Sequence, residues 1–574
     1  MKALHRFLSS SAYAVAVMVF AMLAAVMCAC TITYDGSAGF TGWTWMHPVS
    51  VYSAIGLLLA VVLVPLVPKA WGFACDADMR ATAAICMAVI AGIGCVWSLL
   101  FAAAPSTGDI MVLNDIASTI RRTGVFDHDS NTTIGMPDAV DYLHHLPYQS
   151  GFILYLLGIM LVIGGTMSEL PFQLVNAVII LPSAALMLAF MARELASSMS
   201  ASGTVSSDER MRTGVFNMTM MLLACYAPFS CYAFKAYGNI VVLPFMFAAL
   251  TLAMRICGHV GTIGRGDVVN LILLAFCSFM MAWLKPNSMI IAIAIIIAVI
   301  VSALKAYARD GIVLRAIAAV IVCMTAWLGT VVPVMLLQGF TDVNLHDGRQ
   351  PPMSWIAMGT VYNEGSGTPG YFNETYLGDT WRTWRNVETT DEHMSDAAKR
   401  NIRRITDGHL WVAFIAAKIT YTYSDPSFVA FSRPVAESSV WNGMVGKHDY
   451  LHRIHDGRLH DGKAVMKPYQ RFVLRNIRYV SVPFDALQSL IAMLAFLGIC
   501  SVRHAGRKGT DGTENEINMR SLLPALCVVG GFLFHLLWET QPEYGFTYFL
   551  LLIPYAVCAM PTIACGRRKT GMKP

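Results

Sequence analysis

The stretch NSMIIAIAIIIAVIVSAL, residues 287–304, decides the class of fold, because it contains no ionisable side chain over its whole length. As an α-helix rising 1.5 Å per residue it would cover about 27 Å, close to the roughly 30 Å of hydrocarbon in a bilayer. Similar apolar segments recur along the chain, at roughly 11–31, 51–67, 83–104, 170–192, 214–232, 236–256, 268–284, 313–337, 484–501, 521–537 and 545–561. The sequence therefore predicts an all-α polytopic membrane protein with about twelve transmembrane helices.

The composition of the whole chain excludes a water-soluble globular protein. Of its 574 residues, 56% are hydrophobic and only 13% are charged. Such values are typical of proteins that bury much of their surface in lipid. The formal net charge of +5 says little about partners once the charges are assigned to loops. Nothing in the charge pattern suggests nucleic acid as a partner.

A thirteenth apolar segment, residues 151–165, is ambiguous by length, and the distribution of Lys and Arg decides its role. If the segment does not cross, twenty Lys and Arg residues fall in cytoplasmic segments. Only four then lie in the short outer loops, namely Arg121, Arg122, Lys235 and Lys285. The positive-inside rule expects this asymmetry. We therefore predict a multi-pass protein of the cell membrane in which 151–165 is an interfacial helix, both termini are cytoplasmic and Asp109 faces outward.

The chain is expected to have three parts. Residues 1–338 form an N-terminal transmembrane module with an outer loop at 105–148, and residues 481–574 form C-terminal transmembrane helices with a basic cytoplasmic tail. Between them, residues 339–480 are polar and aromatic and long enough to form a modest core, which predicts an exoplasmic domain, either α or mixed α/β. Its HDGR motifs have no spacing typical of a metal site. No cofactor is predicted, and a divalent metal has no support in the sequence.

The outer loop at 105–148 carries the strongest catalytic candidate, Asp109, at the start of the run DIMVLNDIASTIRRTG. Four apolar residues of this run fall on one helical face: Leu113, Ile116, Ala117 and Ile120. Three polar residues fall on another face: Asp115, Ser118 and Arg122. This pattern predicts a helix that lies on the membrane surface. A carboxylate is costly to hold at the lipid boundary, so Asp109 is interpreted as functional.

Three further motifs lie where predicted outer loops meet helix ends. They are LPYQSG at 146–151, LKPNS at 284–288 and HLLWETQPEY at 535–544. The candidate residues within them are Tyr148, Gln149, Lys285, Glu539 and Tyr544. Each motif also has a purely structural interpretation, because proline often starts a helix, lysine often snorkels to the interface, and an acidic residue in a short loop is usually solvated.

The order and spacing of these motifs resemble the GT-C superfamily of polytopic glycosyltransferases, which includes protein O-mannosyltransferases and lipid A aminoarabinose transferases. The likeness consists of Asp109 followed by Gly124, a proline-containing run into a juxtamembrane helix, the turn at Lys285 and Pro286, and the late element from Glu539 to Tyr544. It covers roughly 83–304 and 484–561. The chain departs from the family in having two extra spans before the Asp loop, and Glu543 where a late arginine is common.

The resemblance implies a function and a role for each candidate. Such enzymes transfer a sugar, with inversion, from a polyprenyl-phosphate donor to a hydroxyl of an envelope glycan, lipid or protein at the outer face of the membrane. Asp109 would be the general base, and Asp115 would be either a second carboxylate or a solvated residue. Arg121, Arg122 and Lys285 would stabilise the departing phosphate. The remaining candidates would position donor or acceptor: Tyr148, Gln149, Glu539 and Tyr544.

The main competing hypothesis is a transporter or flippase of lipid-linked saccharides. It predicts an internal duplication and interrupted helices with ionisable groups at mid-membrane. The sequence shows no repeat between its halves, and few acidic residues fall inside the predicted spans. A scaffold protein would leave the Asp109 loop unexplained, and a nucleotide-sugar synthase would need a large cytoplasmic domain. The enzyme hypothesis therefore leads.

Overall fold

A computed structural model describes residues 1–32, 51–101, 109–126, 142–143, 146–163, 170–199, 205–235, 237–305, 309–341, 344–345, 350–363, 368–370, 387–431, 434, 468–505 and 517–569. Within these ranges, ten helices are long and apolar enough to cross a membrane, and two bent helix pairs raise the number to twelve. The prediction of an all-α polytopic membrane protein is therefore confirmed.

The elements follow one another along the chain in two groups. The first group is α1 (Lys2–Ala29), α2 (Val51–Leu63), α3 (Val67–Asp76), α4 (Met79–Phe101), α5 (Asp109–Thr123), α6 (Ser150–Ile163), α7 (Leu170–Val175), α8 (Leu181–Met199), α9 (Val205–Cys225), α10 (Ala227–Cys231), α11 (Gly238–Val241), α12 (Leu243–Cys257), α13 (Arg265–Leu284), α14 (Met289–Ala303) and α15 (Arg309–Gln338). The second group is α16 (Pro352–Gly359), β1 (Tyr362–Asn363), β2 (Thr368–Pro369), α17 (Val387–Asp407), α18 (Trp411–Tyr423), α19 (Pro468–Ala505), α20 (Met519–Leu537), α21 (Pro542–Leu550) and α22 (Leu552–Lys569).

Short turns join several of these helices into longer rods. A π-helical turn, Asn176–Ile180, connects α7 to α8, and 3-10 turns lie at Val64–Leu66, Pro147–Gln149, Tyr232–Phe234 and Pro286–Ser288. Proline stands in the first turn of several of these segments, where its missing N–H has no helical partner to lose. The two bent pairs are α9 with the segment Ala227–Phe234, at 67°, and α21 with α22, at 42°.

The helix ends fall on two opposite faces of the bundle. One face, which we name the Lys285 face, gathers the ends of α1, α4 and α13. There the N–H of Ile32 donates to Ser424 O at 3.0 Å and Tyr469 OH donates to Leu100 O at 2.7 Å. The other face, named the Arg520 face, holds the ion pair of Arg520 with Glu194. The first residue of α1 and the last residue of α22 both lie toward the Arg520 face. Tyr13 of α1 donates to Cys500 O, Gly498 packs against Tyr555 of α22, and Tyr555 OH donates to Ser521 O beside Arg520.

Helix α6 does not carry the chain from one face of the bundle to the other. The rods α4 and α7–α8 are antiparallel, since Gly94 packs against Ala177 while Arg193 reaches Met79 at the other end. Phe101 and Leu170 therefore lie on the same face, and the chain between them begins and ends there. Within the described residues, the apolar helix Pro147–Ile163 is shorter than the segments long enough to cross a membrane. This geometry agrees with the prediction for 151–165.

Helix α5 is amphipathic and packs on α6. The four residues predicted to share its apolar face are all buried: Leu113, Ile116, Ala117 and Ile120. Ser118 Oγ lies 3.8 Å from Met160 Sδ of α6, and just beyond the helix the N–H of Phe126 donates to Phe340 O at 2.7 Å. Arg121 and Arg122 stand in the last turn, where a positive charge is favoured by the helix dipole.

The predicted domain at 339–480 is described only in pieces, and one piece enters the bundle. Helices α16 and α17 share a small apolar cluster apart from the main core. Residues 424–431, however, are buried between membrane helices without forming a helix, and we name them the inserted loop. The predicted boundary at 480/481 falls inside α19, because this helix runs without interruption from Pro468 to Ala505.

Candidate functional site

Segments far apart in the sequence meet at the Lys285 face around the ring of Tyr237. The Gln149 side chain, from the 3-10 turn before α6, donates from Nε2 to Tyr237 OH at 2.6 Å. Lys285, between α13 and the next 3-10 turn, places its Nζ atom 4.2 Å from the centre of the same ring. A cation held over an aromatic face at this distance is attracted by the ring electrons. The structure thus brings together two of the predicted site residues through a third that was not predicted.

Two glycines allow the backbones of these segments to approach. A Cβ atom at Gly238 would overlap the carbonyl oxygen of Leu284, and one at Gly151 would overlap that of Trp283. The Trp283 indole also donates to Gly151 O at 2.8 Å, which joins the start of α6 to the end of α13. A side chain at either glycine would therefore push apart the segments that carry Gln149, Tyr237 and Lys285.

A buried ion pair lies next to this cluster. Lys235 contacts Glu543 through Nζ and Oε2, and only 3% and 6% of the two side chains are exposed. Lys235 Nζ lies 5.5 Å from the centre of the Tyr237 ring, and Asn176 Nδ2 donates to Lys235 O at 3.0 Å. Glu543 is in the first turn of α21, where the helix dipole also favours a negative charge. The ion pair and the helix dipole both favour the charged forms of these two side chains.

A cavity opens beside these residues, and we name it the Lys285 pocket. It is a small cavity of about 40 Å³ that is partly open to the outside. Its polar lining comes from Asn239, Lys285, Asn287, Ser288, His535, Glu543, Tyr544 and Thr547, and its apolar lining from Val242, Met246, Ile291 and Tyr548. The rings of His535 and Tyr544 stack with centres 5.4 Å apart and planes 13° apart. The pocket thus combines one cation, one carboxylate, two amides and a stacked aromatic pair.

A second lysine fixes the turn behind the pocket. Lys418 of α18 donates from Nζ to Trp538 O at 2.6 Å and to Thr540 Oγ1 at 2.8 Å. Burial lowers the pKa of the Lys418 ammonium to about 7, although the nearby Glu539 carboxylate acts in the opposite direction. Glu539 itself is buried and accepts from Gln541 Nε2 at 3.0 Å. Glu539 therefore belongs to the supporting turn and does not line the pocket.

The structure describes the two catalytic candidates of α5, Asp109 and Asp115, to different extents. Asp109 is the first residue of α5, and its side chain lies outside the described part of the structure. Asp115 is only 5% exposed, so of its two interpretations the solvated residue is excluded, and its role as a second carboxylate stays a prediction. The reason is that α5 is covered on more than its apolar stripe, since Asn114 and Thr119 are buried as well.

The remaining candidates lie outside the pocket lining. Arg121 and Arg122 are exposed at the end of α5, and the lining described for the Lys285 pocket does not include them. Tyr148 is partly buried in the 3-10 turn beside Gln149. Of the residues predicted from the sequence, Lys285 and Tyr544 line the pocket. Gln149 contacts the Tyr237 ring that Lys285 lies over, but neither Gln149 nor Tyr237 belongs to the lining.

Sequence reasoning missed Lys235, Tyr237 and the place of Glu543 in the pocket lining. Lys235 was counted only as one of four charges in the outer loops. The run KAYGN at 235–239 nevertheless lies at the junction of two predicted spans, 214–232 and 236–256, as LKPNS lies at the junction of the next two. A lysine, an aromatic residue and an amide at such a boundary could have marked it as a fourth motif.

No metal site or known relative guides the interpretation. Within the described ranges, no group of three or more His, Cys, Asp or Glu side chains could hold a metal ion. In comparisons with known proteins, no family model and no curated protein matches this sequence. The interpretation of the site therefore depends on its own residues and their geometry.

Proposed function

We propose that the protein is a membrane glycosyltransferase of the GT-C type, which moves a sugar from a polyprenyl-phosphate donor to an acceptor of the cell envelope. In this proposal the Lys285 face is the outer face of the cell membrane, and both termini are cytoplasmic. The observation that carries the proposal is the Lys285 pocket itself. It joins a cation, amides and stacked rings at the ends of membrane helices, and in this proposal it takes the headgroup of a lipid-linked sugar.

In the proposed reaction, one side chain stabilises the negative charge on the leaving phosphate and another takes the proton of the acceptor hydroxyl. Lys285 stabilises the negative charge on the phosphate as it leaves the anomeric carbon. Asp109, at the start of α5, takes the proton of the acceptor hydroxyl as that oxygen attacks from the opposite side. The bond from the anomeric carbon to the phosphate oxygen breaks while the bond to the acceptor oxygen forms, so the configuration at that carbon is inverted.

Two features support Lys285 rather than Arg121 or Arg122 as the phosphate ligand. The ammonium of Lys285 lines a concave space, whereas both arginines are exposed at the end of α5. Lys285 is also held by the Tyr237 ring, which in turn is held by Gln149. A charge fixed before the reaction stabilises a transition state better than one that must first be ordered.

Profiling of lipid-linked glycans tests this function in cells. Cells without the protein should accumulate one polyprenyl-phosphate sugar, detected by mass spectrometry of lipid extracts, and should lose the corresponding sugar from an envelope component. Supplying the Asp407→Asn variant, altered at an exposed position of α17, should restore the normal profile, and Asp109→Asn should not. Unchanged lipid-linked sugars in cells without the protein would contradict the proposal.

A second candidate function, a transporter or flippase of lipid-linked saccharides, is favoured by a separate observation. Two membrane rods are bent, by 67° and 42°, and the inserted loop brings Asp425 near the buried Asp485 of α19 and the end of α1. Transporters commonly have broken helices and ionisable groups within the membrane. Proteoliposomes loaded with donor separate the two functions, because a flippase moves the donor intact and a transferase cleaves it.

A further inference from the structure

We propose that Glu543 accepts hydrogen bonds from sugar hydroxyl groups in the Lys285 pocket, so that the pocket requires an anionic group and a hydroxylated ring in the same ligand. This inference rests on the proposed function and names the part of the donor that each charged residue recognises. Lys285 recognises the phosphate, and Glu543 recognises the sugar.

The position of Glu543 is suited to a ligand with hydroxyl groups. Glu543 lies in the first turn of α21 and lines the same pocket as Lys285. A carboxylate repels a phosphate, so a ligand that offered only a phosphate and an apolar chain would gain little from the Glu543 side of the pocket. An ionised carboxylate accepts hydrogen bonds and cannot donate them. The chemical group that suits it is a hydroxyl or amino group, and a sugar carries several hydroxyls.

The partner of Glu543 favours the ionised form of its carboxylate, which is the form that accepts hydrogen bonds. Lys235 forms the buried ion pair with this carboxylate but does not line the pocket. Lys235 therefore stabilises the negative charge without presenting a second cation to the cavity. Hydrogen bonds to a charged acceptor are stronger than those to a neutral one. The ion pair thus makes Glu543 a better acceptor than a protonated or neutral residue at the same place.

The remainder of the lining also suits a sugar ring. The amides of Asn239 and Asn287 can both donate and accept hydrogen bonds. The stacked rings of His535 and Tyr544 add a flat wall. Amides, a carboxylate and an aromatic wall together match a ring with hydroxyls on its rim and C–H groups on its face.

A binding experiment on the purified full-length protein tests the inference. The probes are citronellyl phosphate, which carries no sugar, and its phosphodiesters with glucose, mannose, galactose and arabinose. The best sugar-bearing probe should bind the unaltered protein at least about tenfold more tightly than citronellyl phosphate, as expected for one hydrogen bond to a charged group. If no sugar-bearing probe binds more tightly than citronellyl phosphate, the inference is wrong.

The decisive variant is the double substitution Lys235→Met with Glu543→Gln. It replaces the ion pair by neutral side chains of similar size, whereas removing one partner would leave a buried unpaired charge. This variant should bind the two kinds of probe within about twofold of each other. A preference for sugar that persists in it would overturn the inference. If the double variant fails to fold, Glu543→Asp, which keeps the charge but withdraws it by one methylene, should also lose the preference, and a retained preference there overturns the inference as well.

The same assay distinguishes failure of the inference from failure of the proposed function. Binding of all probes with equal affinity would contradict the role of Glu543 and leave phosphate recognition by Lys285 in place. Binding of none of the probes would contradict both. Lys285→Met should weaken all probes together, because each of them carries the phosphate.

Discussion

The Lys285 pocket and the inserted loop both contain polar groups among membrane helices, but the hydrogen-bonding arrangement of these groups differs. In the inserted loop, the Asp425 carboxylate accepts from Ser427 N, Ser427 Oγ and Val429 N at 2.8–2.9 Å. In the Lys285 pocket, polar side chains from several distant segments line open space. Polar groups that satisfy one another stabilise a fold, whereas polar groups arranged around a cavity can bind a ligand.

The surroundings of the inserted loop explain why it needs its own hydrogen bonds. Tyr226 OH donates to Pro426 O at 2.7 Å, and Tyr232 OH donates to Phe428 O. Irregular backbone is tolerated at membrane depth only where protein covers it, as these tyrosines do. Phe428 and Val429 also have positive φ angles of 47° and 66°. Such angles are unfavourable for a β-branched residue, so the Asp425 hydrogen bonds must hold the turn.

The largest expected effect is therefore a loss of stability in the inserted loop. Asp425→Ala removes three accepted hydrogen bonds from a buried, strained turn, and we expect a loss of about 4 kcal/mol or a failure to fold. Thermal unfolding in detergent measures it. Asp425→Asn, which keeps one acceptor oxygen, should be less destabilising. An Asp425→Ala variant as stable as the unaltered protein would show that the loop is held by other contacts.

The next effect concerns function at the pocket. Lys285→Met keeps the apolar stem and removes the charge, so sugar transfer should fall about 100-fold with every acceptor tested. The matched control is Lys399→Met, at an exposed position of α17, which should leave transfer unchanged. If Lys285→Met transfers sugar at the normal rate, Lys285 only snorkels to the interface.

A smaller effect is expected in the pH dependence of stability. The pKa of Lys418 is about 7 in the folded protein and 10.5 when unperturbed. Between these values the unfolded chain binds one proton more than the folded one, so Lys418 makes stability rise with pH, by up to about 1.4 kcal/mol per pH unit. The unfolding free energy of the unaltered protein, minus that of Lys418→Met, should therefore rise from pH 7 to pH 10. A difference independent of pH would contradict the buried, neutral lysine.

The smallest effect is expected at the exposed end of α5. Arg121→Ala and Arg122→Ala should change the free energy of unfolding by no more than about 0.5 kcal/mol. Both variants should use the donor at nearly the normal rate, since neither residue lines the Lys285 pocket. A large loss of donor use in either variant would support the phosphate role predicted from the sequence and would extend the binding site toward α5.

Hydropathy and charge predicted the parts of the fold that depend on local sequence. The spans, the amphipathic pattern of α5 and the course of 151–165 all follow from the length and periodicity of apolar residues and from the positions of Lys and Arg. The position of α5 on the membrane surface stays a prediction. The burial of the inserted loop could not be predicted in this way, because its sequence, SDPSFVAF, is neither long nor uniformly apolar. Its burial depends on the hydroxyl groups of Tyr226 and Tyr232, which are about 200 residues away in the sequence.

Only part of the candidate site was predicted, because some of its residues lie in local motifs and others meet only through contacts between distant segments. Lys285 and Tyr544 stand in motifs at helix ends, where a local pattern marks them. The pairing of Lys235 with Glu543 joins residues 308 positions apart, and no local pattern indicates it. The burial of Asp115 likewise depends on what packs around α5, which the periodicity of α5 alone does not reveal.

The most direct test of the account is the rate of sugar transfer by the purified protein and its Asp109→Asn variant, with one polyprenyl-phosphate donor in a single turnover. The substitution keeps the size and hydrogen bonding of the side chain and removes its basicity. We expect the transfer rate to fall at least about 100-fold while donor affinity is retained. Normal transfer by Asp109→Asn would contradict the assignment of the base and turn attention to Asp115. Movement of intact donor across the membrane with no transfer by the unaltered protein would contradict the glycosyltransferase itself.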